Sequence, residues 1–206
     1  MSDFHSERAR REVAAAVKEV EQKTSCEIVV AVRNCAGHYR HVDYLAGALL
    51  GLGVLLILLF HPHNFAVATM PLDVLVMFGV GAAASAYSPT LRRLLSRKKL
   101  RAEFVSRAAR ATFVELGVSR TRGRTGILVY LAMLEQSVEV VCDTGVALGD
   151  QEKAFRERVA ALDAAVKQND LDAFVAGLRR LGEPLSRVLP CAADDVNELP
   201  DDLSAQ

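Results

Sequence analysis

Apolar side chains recur at helical spacing near the start of the chain. Ala9, Val13, Ala16, Val17 and Val20 fall on one stripe and predict an amphipathic helix over 5–22. EIVVAV, 27–32, is rich in β-branched residues and predicts a strand. The pattern then changes. Val42 to Phe60 is apolar except for Asp43 at its outer end, and a second apolar run follows from Phe65 to Tyr87. At about 1.5 Å of rise per residue, crossing about 30 Å of hydrocarbon takes about 20 residues. The first run meets that length. In the second, Thr69, Pro71 and Asp73 read as a helix start, because proline is tolerated in a first turn and an early Asp faces the positive helix end. A helix over 70–91 therefore spans, with Asp73 near the far interface.

Beyond the second run the soluble pattern returns. A basic helix in two pieces around Ser96–Lys99 is expected, with Leu100, Phe104, Ala108 and Ala111 on one side, ending near Gly117. Arg122–Gly126 reads as a turn, and 127–134 and 137–142 as two strands of a hairpin joined at Glu135 and Gln136. Asp150 is placed to cap a helix carrying Phe155, Val159, Leu162 and Val166. Asn169 or Asp170 caps the last helix, whose stripe is Leu171, Phe174, Leu178 and Leu181 and which Pro184 kinks or ends; Pro190 closes the domain. The expected fold class is α/β: a small sandwich of a short mixed sheet and packed helices, interrupted by a two-helix transmembrane hairpin. Residues 1–41 supply its first part, 42–91 the hairpin (helices about 42–60 and 70–91), 92–190 the second part, and 191–206 a flexible acidic tail. The first strand cannot bury its apolar residues alone, so it is expected to pair with strands that follow the hairpin.

Charge sharpens this division. The 206 residues carry 25 basic and 25 acidic side chains, yet 45–87 holds only Asp73. A balanced total gives no general field for nucleic acid. Arg33 and Arg40 precede the hairpin and Arg92, Arg93, Arg97, Lys98, Lys99 and Arg101 follow it, whereas the connecting His61–Asn64 has no Lys or Arg. Positive flanks stay on the cytoplasmic side, so both termini and the soluble domain are expected in the cytoplasm. About forty residues precede the first hydrophobic run, too many for an N-terminal secretory signal. The six basic residues after the hairpin are expected to contact anionic lipid head groups, and no stacking aromatics are interleaved for a nucleic acid. Gly47 and Gly51, with Gly79 and Gly81, give small-residue faces through which the two helices pair with each other or with a second copy.

Several chemistries fail on spacing. Cys26, Cys35, Cys142 and Cys191 show no CxxC pair and are expected as thiols, Cys26 and Cys142 as buried small hydrophobes. Cys35 and Arg40 bracket four residues, one short of a cysteine-phosphatase loop, and no GxxxxGK[ST] or GxSxG occurs. Asp143-Thr144-Gly145 has no second copy to form an aspartic dyad. His38 with His41 and His61 with His63 lack a third zinc ligand.

The helix followed by SCEIVVAV (25–32), then TGILVYLAMLEQSVEVVCDTGV (125–146), GDQEKAFRERVAAL and DLDAFVAGLRRLGEPLSRVLP, resembles the TPM domain family. This is the group of thylakoid-lumen phosphatase-like and photosystem II repair proteins; the hairpin inserted after the first strand resembles its membrane-bound bacterial branch, which implies a bacterial cytoplasmic membrane. Phe155 stands where many relatives have tryptophan. The resemblance implies a role in assembly, repair or quality control of a membrane protein complex through contact with another membrane protein. Its alternative implication is a divalent-metal-assisted phosphatase using Asp143, with Asp150 as companion and calcium as the metal. Asp150 as an N-cap and Asp143 as a turn former are the plainer readings of the same residues.

Overall fold

A computed structural model describes residues 3–62 and 66–191, and the backbone of 204–205. The chain divides into two compact units, one formed by 1–36 with 102–206 and the other by 37–101.

The first unit is a mixed α/β body. Helix α1 (Glu7–Glu21) starts at Ser6, whose hydroxyl accepts from Ala9 N–H, and leads into β1 (Glu27–Arg33). After the second unit, α5 (Lys98–Glu115) ends at Gly117, whose left-handed φ of 68° turns the chain back. Strands β2 (Gly126–Ala132) and β3 (Ser137–Cys142) follow, then α6 (Glu152–Gln168) and α7 (Leu171–Val188). β2 lies in the middle of the sheet body. It is parallel to β1 from Glu27↔Gly126 to Arg33↔Ala132 and antiparallel to β3 from Ile127↔Cys142 to Ala132↔Ser137. A two-residue strand, β4 (Ser204–Ala205), runs parallel to Ala31–Val32 on the outer side of β1.

Strand alternation sorts the core into two layers. Ile28, Val30 and Val32 join Ile127, Val129 and Leu131 under α1, α6 and α7, where Phe4 and Phe174 meet edge to face with centroids 5.4 Å apart. Val29 and Ala31 join Leu128, Tyr130 and Ala132 under α5. All of β2 is buried, and all of β1 except Arg33, which is half-buried. Strands covered on both faces read as unbroken apolar runs, as these two do.

The pattern of residues misplaces several details. The β2–β3 connection is four residues, 133–136, rather than two. Met133 and Leu134 N–H donate to Arg33 and Asn34 carbonyls, so these residues follow the end of β1, and Gln136 closes the turn at φ 51°. α5 buries Val105, Ala109, Thr112 and Phe113, a face turned by one position from the Phe104–Ala108–Ala111 stripe. Asp150 does not cap α6: it sits in the short 3₁₀ turn Gly149–Gln151, and Gln151 precedes the helix without a side-chain cap. Asp170 caps α7 through Ala173 N–H, while Asn169 ends α6 in the left-handed conformation. Pro184 does not end α7. A proline removes one backbone bond, and the burial of Pro184 and Leu185 in the core holds the helix to Val188.

The second unit is the hairpin: α2 (Arg40–Phe60) and α3 (Met70–Tyr87), followed by α4 (Pro89–Leu95). Both long helices are apolar enough to cross a membrane, at about 32 Å and 27 Å by helical rise. Only 28% and 11% of their most apolar windows are buried, unlike the core helices of a water-soluble body. The single helix expected over 70–91 breaks at Ser88. Its backbone is extended (φ −112°, ψ 102°) because Pro89 forbids the helical conformation to the residue before it. His63, in the loop, and the five acidic residues of the tail (Asp194, Asp195, Glu198, Asp201 and Asp202) lie outside the described residues.

Gly126 gives a direct test of the packing at the start of β2. A Cβ there would lie 2.1 Å from the Val118 carbonyl oxygen and 2.8 Å from Val118 Cγ1. Gly126→Ala is therefore expected to destabilise the first unit by about 3 kcal/mol, read as a lowered urea midpoint. An unchanged midpoint would mean that the Val118 segment does not press on the sheet.

Candidate functional site

Two polar places stand out against the apolar background. The first closes the mouth of the hairpin. Asp43 lies in the first turn of α2, Ser85 in the last turn of α3, and Arg92 in α4, so the antiparallel helices bring the beginning of one opposite the end of the other. Asp43 Oδ1 accepts from Ser85 Oγ at 2.8 Å and from Arg92 Nε at 3.0 Å, while Oδ2 accepts from Arg92 Nη2 at 2.7 Å. This is a two-pronged guanidinium–carboxylate pair with a hydroxyl on one oxygen. Asp43 is only 7% exposed and Ser85 is fully buried, so a carboxylate in an apolar hairpin is held by three donors instead of water.

Small residues let the helices approach above this staple. A Cβ on Gly47 would lie 2.6 Å from the Phe78 carbonyl oxygen, one on Gly51 3.3 Å from that of Val74, and one on Gly81 2.9 Å from that of Ala46. These three glycines serve the pairing of α2 with α3, the first of the two alternatives their spacing offers. Gly79 has open space around it.

The basic residues after the hairpin differ in what they do. Arg92 holds Asp43. Arg101 Nη1 donates to the Arg93 carbonyl and, at 3.1 and 3.0 Å, to the carbonyl and hydroxyl of Ser96, tying off the end of α4. Arg93 is half-buried and donates to Thr90 at 3.4 Å, whereas Arg97, Lys98 and Lys99 are exposed.

The second polar place is at the far end of β3. Asp143 N–H donates to the Gly126 carbonyl, and its Oδ1 accepts from Thr144 N–H at 2.7 Å with Arg124 Nη1 at 3.6 Å. Gly145 seats the turn on the 122–126 segment, where a Cβ would lie 2.2 Å from the Gly123 carbonyl oxygen. Asp143 Oδ2 is buried and accepts no hydrogen bond from the described residues. Asp150 is exposed. Among the described residues no three His, Cys, Asp or Glu side chains gather as metal ligands. Calcium takes six to eight oxygens, so the donor set around Asp143 does not fit it. The geometry makes Asp143 a turn organiser paired with Arg124.

Around the other end of the sheet, Glu135 Oε1 accepts from Ala36 N–H at 3.0 Å and lies 3.8 Å from Cys35 Sγ. Tyr130, buried below, has its phenol pushed up to about 12 by burial and then by the nearby Glu135 carboxylate. Burial likewise pushes the Cys142 thiol up to about 12, with Cys26 beside it adding to the effect. Both groups are held neutral.

No family model and no curated protein matches the chain. Among solved structures it is similar to the NMR structure of the BA42 protein from the psychrophilic bacterium Bizionia argentinensis sp. nov. That likeness has a TM-score of 0.58 and 18% sequence identity, over 100% of this chain and 98% of that one. It is a likeness of fold.

Two measurements bear on these places. Asp43→Asn and Arg92→Gln, alone and together in detergent, are expected to show a coupling energy of about 1–3 kcal/mol. Additive effects would mean that the pair contributes nothing as a unit. Tyr130 and Cys142 protonate more tightly in the folded chain than at their ordinary values of 10.0 and 9.0. Their contribution to stability is therefore full below about pH 9 and is lost as pH rises through about 12. Urea midpoints across that range should fall, and Tyr130→Phe should flatten the upper part of the curve.

Proposed function

We propose that the chain is a membrane-anchored interaction domain of the TPM kind, acting as an assembly, repair or quality-control factor for a membrane protein complex. The observation that carries the anchoring is the distribution of side chains on the hairpin. Leu49, Leu52, Leu56, Ile57 and Leu59 of α2 and Leu72, Leu75 and Val76 of α3 are turned outward, while Asp43 and Ser85 are turned inward. A hairpin built in this way suits a hydrocarbon solvent and not water.

The basic flank supports a cytoplasmic placement of both ends, at a bacterial cytoplasmic membrane. Arg97, Lys98 and Lys99, exposed just past α4, are the residues best placed for anionic head groups, with Arg93 beside them. In this reading Arg92 and Arg101 act instead on the hairpin itself. In this reading the α/β body contacts a second membrane protein.

Topology in native vesicles tests this directly. In a Cys35→Ser background, an impermeant thiol reagent is expected to label exposed Cys191 in inside-out vesicles and to spare it in right-side-out ones. Alkaline carbonate should leave the chain in the membrane pellet. Labelling in right-side-out vesicles would reverse the orientation, and release by carbonate would overturn the anchoring.

A further inference from the structure

The pairing of α2 with α3 sets the depth of each residue in the hairpin. Asp43 meets Ser85, and farther in Gly47 lies against the Phe78 carbonyl and Gly51 against that of Val74. Asp73, one residue before Val74, is therefore level with the middle of α2, near Leu52. From Ser85 back to Asp73 the helix rises about 18 Å. In a membrane-anchored hairpin two features hold the Ser85 end at its interface. Tyr44 and Tyr87 stand exposed beside the Asp43–Ser85 pair, and exposed Arg97, Lys98 and Lys99 follow α4. With that end fixed, Asp73 falls about 12 Å short of the other side of a hydrocarbon core about 30 Å thick.

Asp73 is also turned outward. It is exposed on α3, and among the described residues no donor reaches its carboxylate. Asp43 is the opposite case, 7% exposed and held by Ser85 and Arg92. A carboxylate inside the span is costly, and such groups are found paired. The chain offers this one no cation, because 41–91 contains no Lys or Arg. A second copy inserted the same way brings Asp73 level with Asp73, and like charges repel. His61 caps α2 at the tip, about 14 Å farther along that helix than Leu52. The complementary charge must therefore come from a different protein. The surface beside Asp73 suits a helix. Val76, Val80, Ala84 and Tyr87 recur at helical spacing on the same exposed side, and the small side chains among them let a backbone approach.

We propose that Asp73 is an intramembrane docking residue for a membrane-spanning helix of another protein, one that carries a lysine or arginine within its apolar span. The partner's cation pairs with Asp73, and its backbone lies along Val76, Val80 and Ala84. This rests on the anchoring and the partner role proposed above, and it names the chemistry of that partner. Pairing relieves both helices of an uncompensated charge in the hydrocarbon. The face is separate from the one at Gly47, Gly51 and Gly81, which α2 and α3 fill between themselves.

The test uses the full chain in dioleoylphosphatidylcholine vesicles, with a dye on Cys191 in a Cys35→Ser background. The probe is a leucine–alanine helix of about 20 residues that carries a second dye and one central lysine. Energy transfer is expected to show about tenfold tighter association for this helix than for one with leucine at its centre. Asp73→Asn should abolish the preference, and Asp73→Lys should transfer it to a helix with a central aspartate. Equal association of the lysine and leucine helices, or a preference that survives Asp73→Asn, would overturn the proposal. So would rapid labelling of Asp73→Cys by an impermeant maleimide, in a Cys35→Ser/Cys191→Ser background without the probe helix. That result would put residue 73 in water at the interface of a thinned bilayer. Alkaline carbonate is applied first to each preparation. Release of the chain overturns the anchoring and this proposal with it, whereas retention without a lysine preference overturns this proposal alone.

Discussion

The parallel pairing of β1 with β2 governs how this chain is built. Both strands are almost wholly buried, and neither covers its apolar faces without the other. Yet residues 34–125 lie between them. Parallel neighbours always need a long crossover. Here the crossover contains an entire helical hairpin as well as α5, the helix that covers one face of the sheet. The chain must return to the sheet it left, so a two-helix hairpin is an excursion that lets the sheet close. The late strand β3, and the helices α6 and α7 under the opposite face, complete a layer that α1 starts.

Inside the hairpin the governing constraint is different. A carboxylate buried among apolar side chains loses its water, so it must find its hydrogen-bond partners within the protein. Asp43 does so through Ser85 and Arg92, and the three residues come from three helices. The break at Ser88–Pro89 makes this arrangement possible: α3 ends, the chain takes one extended residue, and α4 starts in a new direction with Arg92 in reach of α2. The glycines at 47, 51 and 81 let the backbones come close enough for the staple to close. Residues that the charge pattern groups as one basic flank therefore divide their tasks, since Arg92 and Arg101 serve the hairpin and Arg97, Lys98 and Lys99 face outward.

Helix stripes were legible wherever one face was apolar and the other charged. α1, α6 and α7 follow Val13–Val17–Val20, Phe155–Leu162–Val166 and Leu171–Phe174–Leu178 as written. α5 was misread by one position because alanines surround its stripe and give the period no contrast. Asp143 and Asp150 look like a pair in the sequence, seven residues apart and both near element ends. In the fold one is a buried turn residue beside Arg124 and the other is exposed on a 3₁₀ turn, because the 143–146 turn seats on the 122–126 segment.

By itself the sequence determined what depends on local physics: which stretches are helix or strand, which two helices can cross a bilayer, and that thiols and basic residues carry no recognisable catalytic spacing. Solvent preference and backbone period act on neighbours a few residues apart, so they are written in short windows. The tertiary structure alone decided what depends on distant residues meeting. It placed Asp43 against Ser85 and Arg92, and left the outer edge of β1 to a segment more than 170 residues later in the chain. Such contacts follow from the closing of the sheet and the hairpin, and no window of sequence contains both partners.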